Sequence, residues 1–164
     1  MTKKFNKVAV GGTFDELHKG HKILLLKAFE IGEKILIGLC SDKFVEQMGK
    51  PHITAKFDER LKELLKFLKS KNFEDKAKIV ILNDSFGRTT TDKTIKALVV
   101  SEETKQIALL INEKRAELGF APLEIVTVNM VPAENYKPIS TTRIRDGEID
   151  REGHILKKKS QKEV

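Results

Sequence analysis

Five short apolar runs, separated by stretches with helical spacing, constrain this chain more than any other feature of its sequence. The runs are Phe5 to Val10, "KILIGLC", "AKIVIL", "ALVVS" and "LEIVTV". Between the first two, Ile23, Leu24, Leu25, Ala28 and Phe29 share one face of a helix expected over Lys19 to Ile31, with Gly32 as its stop. "FDERLKELLKFLKS" is the clearest amphipathic helix, with Asp58 near its start, and Glu102 to Leu118 reads as another, closed by Gly119. Strands alternating with helices imply parallel strands joined by right-handed crossovers. The expected fold is therefore α/β: a five-stranded parallel sheet with helices on both faces. A last short helix is expected in "ISTTRIRDGEI", which opens with capping residues.

The 164 residues suit one domain, with neither an internal repeat nor a linker long enough to divide them. The expected division is a domain over 1–156 and a basic, flexible tail over 157–164. "NDSFGRTTTDKT" reads as a polar, mobile loop. No stretch approaches the roughly 18 apolar residues of a membrane span, and "MTKKFNK" does not lead into a signal peptide. Cys40 is the one cysteine, which fits a reducing, cytoplasmic setting. The net charge of +7 suits anionic partners, small phosphates or nucleic acid, although lysine-rich solvated helices also account for it, and for the basic tail the solvated reading is the preferred one. Aromatic residues make up 6% of the chain and Trp is absent, which argues against the stacking platforms of a single-strand nucleic-acid binder.

The densest cluster of chemistry is "GGTFDELHKGH". Gly11 and Gly12 are expected at the end of the first strand, where open parallel sheets bind their ligands and a missing side chain lets a ligand approach the backbone. His18 and His21, three residues apart, fall on one face at the start of the next helix. A helix N-terminus offers N–H groups and partial positive charge, and Gly20 keeps that turn open. Together these features read as a phosphate site with two histidine donors. A plain turn with surface histidines is the other reading. A metal site lacks the "HExxH" spacing, and neither a dinucleotide fingerprint nor a Walker loop is present.

Near the other end, "KPISTTRIRDGEI" sets Ser140, Thr141 and Thr142 at a helix start beside Arg143 and Arg145. Such hydroxyls cap helices. Next to guanidinium groups they also make a cradle for phosphate.

"GGTFDELHKGH" resembles the first signature of the HxGH nucleotidyltransferase superfamily, and "ISTTRIR" is similar to its second, ISSTxxR. The longer segments "LVVSEET", "INEKRAELG" and "EIVTVNMVPAENYKPIS" resemble the archaeal and eukaryotic-type phosphopantetheine adenylyltransferases, from Val8 to about Ile149. The resemblance implies a Rossmann-like nucleotidyltransferase fold. It implies transfer of the adenylyl group of ATP to 4′-phosphopantetheine, giving dephospho-coenzyme A and pyrophosphate, with Mg2+ as cofactor and no nucleic-acid or membrane partner. A cytidylyltransferase acting on glycerol 3-phosphate or a similar phosphate monoester is the alternative, and Ser101 to Thr104 ("SEET") weighs towards the pantetheine family. A non-enzymatic nucleotide- or RNA-binding module is the reading from another class.

On this resemblance His18, His21 and Lys50 are the expected catalytic residues. Gly11, Gly12, Thr13, Phe14, Gly20, Ser140, Thr141, Thr142 and Arg145 would bind ATP or its phosphates, and Thr13, Asp15 and Lys50 the acceptor. No protein metal ligand is expected. Lys43 competes with Lys50 for the lysine role, and Arg143 is an extra cation. Arg60 and Asp42 are weaker candidates, and His52 and His154 read as surface residues. The acceptor is a phosphate monoester whose second pKa is about 6, so the reaction needs positioning and charge rather than a general base.

Overall fold

The structure, a computed structural model, describes residues 3–156. The expected tail from 157 onward lies outside the described residues. Five strands, β1 (Phe5–Gly12), β2 (Gly32–Cys40), β3 (Ala77–Leu82), β4 (Ala97–Ser101) and β5 (Glu124–Val128), form one sheet in the order β3–β2–β1–β4–β5. All four neighbouring pairs are parallel. Five helices accompany them: α1 (Lys19–Ile31), α2 (Asp42–Met48), α3 (Phe57–Ser70), α4 (Lys105–Glu117) and α5 (Thr141–Arg145). The α/β architecture is the one that the alternation of runs implies.

Side chains alternate across the sheet and divide the core in two. Val8, Val10, Ile37 and Val99 pack with Leu25 of α1 and Leu64 of α3 in one cluster. Ala9, Leu36, Leu98 and Val100 pack with Ala108 and Ile111 of α4 in the other. Both faces are covered, as parallel sheets require. Amphipathic α3 turns Leu64, Phe67 and Leu68 inward and carries Asp58 and Glu59 in its first turn, where negative charge suits the helix dipole. A third, smaller cluster of Ala133, Ile139 and Ile149 holds the chain beyond β5 together and carries α5.

Three local expectations are corrected. The strand does not stop before the glycines: β1 runs through Gly11 and Gly12, which pair with Gly38 and Leu39 of β2. A Cβ on Gly38 would come within 3.1 Å of Leu82, so these residues leave a shallow place in the sheet that larger ones would fill. Helix α4 starts at Lys105, not Glu102, because Ser101 to Thr104 close a turn in which the Thr104 hydroxyl accepts the Ser101 N–H at 3.1 Å. Glu102 and Glu103 therefore precede the helix and do not charge its first turn. The polar "NDSFGRTTTDKT" segment contains a 3-10 turn, Gly87–Thr90, with Thr89 buried and its carbonyl bonded to Arg115 at 2.6 Å. Sequence reading also passed over α2, seven residues capped by the Ser41 hydroxyl.

Leu25 is fully buried between α1 and the sheet. Leu25→Ala is expected to cost about 2–5 kcal/mol, measured as a lower urea midpoint with an unchanged m-value.

Candidate functional site

From β1 the chain runs outward through β2 to β3, then returns to the far side of β1 for β4 and β5. Such a reversal opens a crevice at the carboxyl ends of the two central strands. Here it is a cleft of about 580 Å³, lined among others by Gly11, Gly12, Thr13, His18, His21 and Ser140.

The loop leaving β1 bends sharply. Phe14 and Glu16 both take left-handed backbone conformations, φ 51° and 52°, each costing on the order of 1–3 kcal/mol for a residue other than glycine. Buried neighbours hold the bend. The Phe14 ring is 1% exposed and meets His21 edge-on at 5.4 Å. Phe14 thus lines the cleft with little exposed surface while bracing the His21 ring. Asp15, expected to contact the acceptor, is instead buried, at 1% exposure. Its carboxylate accepts from Arg145 at 2.8 and 3.3 Å and from the Ala55 N–H at 3.1 Å. Its carbonyl accepts from the Thr141 hydroxyl at 3.0 Å. The first motif, the segment around residue 55 and the second motif thus meet at one residue.

His18 is the N-cap of α1. Its Nδ1 accepts the N–H groups of Gly20 and His21 at 3.0 and 3.3 Å, and His21 Nδ1 accepts the His18 N–H at 3.1 Å. The Lys19 N–H goes to the Arg151 carbonyl at 2.8 Å. The expectation that α1 would offer free N–H groups to phosphate is thus corrected, since these amides already have partners. What each imidazole keeps is Nε2. An Nδ1 that accepts must be unprotonated, so the neutral ring carries its proton on Nε2 and donates from there. The two rings stack at 3.6 Å. Burial pushes the His18 imidazole down to about 4, with the Arg151 charge adding to it. Burial, then the neighbouring His18 and Lys50, holds His21 well below the ordinary histidine range. Gly20 has its own reason: a Cβ there would sit 2.9 Å from the His18 ring.

In the second motif the Ser140 hydroxyl caps α5, accepting the Arg143 N–H at 3.2 Å. Thr141 is bound to Asp15, so of the three hydroxyls Thr142 is the one without a partner among the described residues. All three residues line the cleft. Arg145, expected on the phosphates, is committed to Asp15 and to Glu16 at 3.3 Å and is not among the described residues lining the cleft. Arg143 ties down the preceding loop through the Pro138 carbonyl at 2.7 Å and Glu148 at 2.8 Å.

Lys50 lines the cleft and donates to the Thr13 hydroxyl at 3.1 Å, whereas Lys43 is not among the lining residues. His52, expected at the surface, has a side chain only 7% exposed, 3.9 Å from the Asp15 carboxylate. It lines the cleft too. His154 is at the surface, paired with Asp150. Arg60 is 2% exposed and spans the site from behind, donating to the carbonyls of Thr13, Cys40 and Ala55 and to Asp42. Its signal was in the sequence: it stands four residues before Leu64, on the buried face of α3.

Residues 9–147 match the cytidylyltransferase-like family. A phosphopantetheine adenylyltransferase from Methanothermobacter thermautotrophicus is 44% identical over 158 residues, covering 96% of this chain and 94% of that protein. One from Pyrococcus horikoshii is 43% identical over 158 residues, covering 96% and 99%. Among solved structures, a protein of unknown function from Archaeoglobus fulgidus superposes with a TM-score of 0.67 at 37% identity, covering 74% of this chain and 88% of that one. The matches run through the sheet, the cleft and both motifs. The chain belongs to the cytidylyltransferase-like nucleotidyltransferases and, among them, to the phosphopantetheine adenylyltransferases.

Proposed function

We propose that the cleft transfers the adenylyl group of ATP to 4′-phosphopantetheine, forming dephospho-coenzyme A and releasing pyrophosphate. The observation that carries this reading is the meeting of the two motifs. The Thr141 hydroxyl on the Asp15 carbonyl, across 126 residues of sequence, brings the imidazole pair and the Ser140–Thr142 hydroxyls to one cleft. Relatives matched over nearly their whole length favour phosphopantetheine over the glycerol phosphate alternative.

The acceptor phosphate is mostly dianionic at neutral pH, so no residue need remove a proton. The barrier is the approach of one anion to another. His18 and His21, neutral and held by the helix cap, donate from Nε2 to the phosphate chain, with His21 assigned to the α-phosphate. The Thr142 hydroxyl and the amides at the start of α5 serve the β- and γ-phosphates. Lys50, held by Thr13, supplies the positive charge where acceptor and α-phosphate meet. Donors fixed before substrate arrives need no reorganisation in the transition state.

Among the described residues no group of three His, Cys, Asp or Glu side chains is placed to hold a metal ion. These side chains do not fit a magnesium cage of the protein's own. The proposal has Mg2+ arriving as part of the ATP complex, on phosphate oxygens and water. No helix among the described residues is long and apolar enough to cross a membrane. A cytoplasmic location belongs to the same proposal.

Incubation with ATP or CTP, and with phosphopantetheine or glycerol 3-phosphate, should yield dephospho-coenzyme A by mass from the first pairing alone. A CDP-glycerol product would move the assignment to the alternative, and no product from any pairing would favour a binding module. His21→Ala is expected to lower turnover about 10²–10³-fold with an unchanged far-UV circular dichroism spectrum.

The histidine pair also sets a pH dependence. A histidine held at about 4 when folded and near 6.5 when unfolded binds more protons in the unfolded state between those values. Stability should therefore be fully present above pH 6.5 and decline as pH falls towards 4, by about 3 kcal/mol from His18 alone. His18→Asn keeps a capping oxygen and removes that titration. Urea unfolding from pH 7 to pH 4 should show a shallower decline for the variant.

A further inference from the structure

The start of α1 is held from outside the cleft by a turn near the end of the described chain. Ile149 is fully buried and bridges to Ile155, closing that turn. The Asp150 carboxylate accepts the N–H groups of Glu152 and His154 within it, at 2.9 and 2.8 Å. Arg151 projects from the turn with three ties. Its carbonyl accepts the Lys19 N–H at 2.8 Å, at the first residue of α1. Its guanidinium donates to Glu16 at 2.9 Å, in the strained loop before α1. It also grips both oxygens of Glu63 on α3, at 2.6 and 3.2 Å.

Resting on the adenylyl-transfer reading, we infer that Arg151, which is not among the cleft-lining residues, is a positioning residue for the reaction. By its carbonyl on Lys19 and its guanidinium on Glu16 and Glu63, it fixes the start of α1 and so the direction of the His18 and His21 rings.

A single exposed ion pair would carry little weight. Here one side chain joins two carboxylates on separate elements, and its own backbone closes the helix whose N-cap is His18. Glu16 needs such a hold, since it sits at φ 52°. A shift of about 1 Å in a catalytic group costs on the order of 100-fold in rate. The charge of Arg151 also acts on both rings. The charged groups facing His18 are Arg151, Asp15 and Lys22; His21 faces the charges of Lys50 and Arg151 and the titratable ring of His18. Arg151 opposes protonation of either imidazole, in line with their role as neutral donors.

Arg151→Met removes the fork and the charge but keeps the backbone carbonyl. It should lower kcat about 10- to 100-fold and leave KM for ATP within about threefold. Arg151→Lys keeps the charge without the fork, so kcat should fall only severalfold, a partial rescue relative to Arg151→Met. Wild-type kcat in Arg151→Met, measured well below its melting temperature, or a rise in KM for ATP that accounts for the whole loss of kcat/KM, overturns the inference and leaves the turn a stabilising element alone. Should Arg151→Met not fold, wild-type kcat in Arg151→Lys overturns it equally. Wild-type protein in the same assay separates the two levels: absence of transfer there defeats the adenylyl-transfer reading itself, not the role of Arg151 within it.

Discussion

A buried carboxylate organises this site. Taking a charge out of water costs several kcal/mol unless its partners are well placed, and Asp15, at 1% exposure, meets them on three sides. Arg145 comes from α5, the Ala55 N–H from the segment after Lys50, and His52 stands 3.9 Å away. None of these partners is near it in sequence. The folded chain satisfies Asp15 only when α5, the Lys50 segment and the loop after β1 have come together, and that assembly is the cleft. The catalytic geometry is therefore coupled to the cost of burying one acid, and a partly assembled cleft would leave that acid unpaired.

The same economy governs the donors. A cationic histidine would attract every phosphate it met, in ground state and transition state alike, and uniform attraction does not speed the chemical step. Burial and neighbouring cations hold both imidazoles neutral. The cap bonds at Nδ1 then choose the tautomer and fix the ring plane. Direction takes the place of net charge. Full positive charge at the cleft comes from Lys50 and Arg88, which both line it.

Much of the fold was legible because packing follows pattern. The runs 57–70, 77–82 and 97–101 coincide with α3, β3 and β4, since each has apolar residues at the spacing its element needs. Gly11 and Gly12 misled because glycine is a poor strand former taken alone, whereas parallel pairing with Gly38 and Leu39 holds them extended. The short α2 buries only Val45 and so has no face to read. At the site, His18, His21 and the hydroxyl run were visible as residue types in a telling order. The partners of the charged residues were not. Arg145 looks like a phosphate ligand until its carboxylate appears 130 positions away, and a lone His52 looks like surface until its loop closes over Asp15. Long-range polar pairing leaves no periodic trace in a sequence.

The arginines carry that point further. Arg60 and Arg115 are nearly fully buried, and each donates to main-chain carbonyls on segments that lack regular pairing. Arg143 does the same for the loop before α5. Loops around a cleft cannot be packed by apolar side chains without filling the cleft, and their carbonyls must find donors somewhere. A guanidinium presents five N–H groups in one plane and stays charged, so one side chain can pin several carbonyls at once. Lysine offers a single donor point and cannot span them. Arg60, Arg115 and Arg143 thus act as struts, while imidazoles, hydroxyls, Lys50 and Arg88 are among the polar groups that line the cleft. The positive charge of the composition therefore says little about the site, because Arg60, Arg115, Arg143, Arg145 and Arg151 are committed to holding its shape.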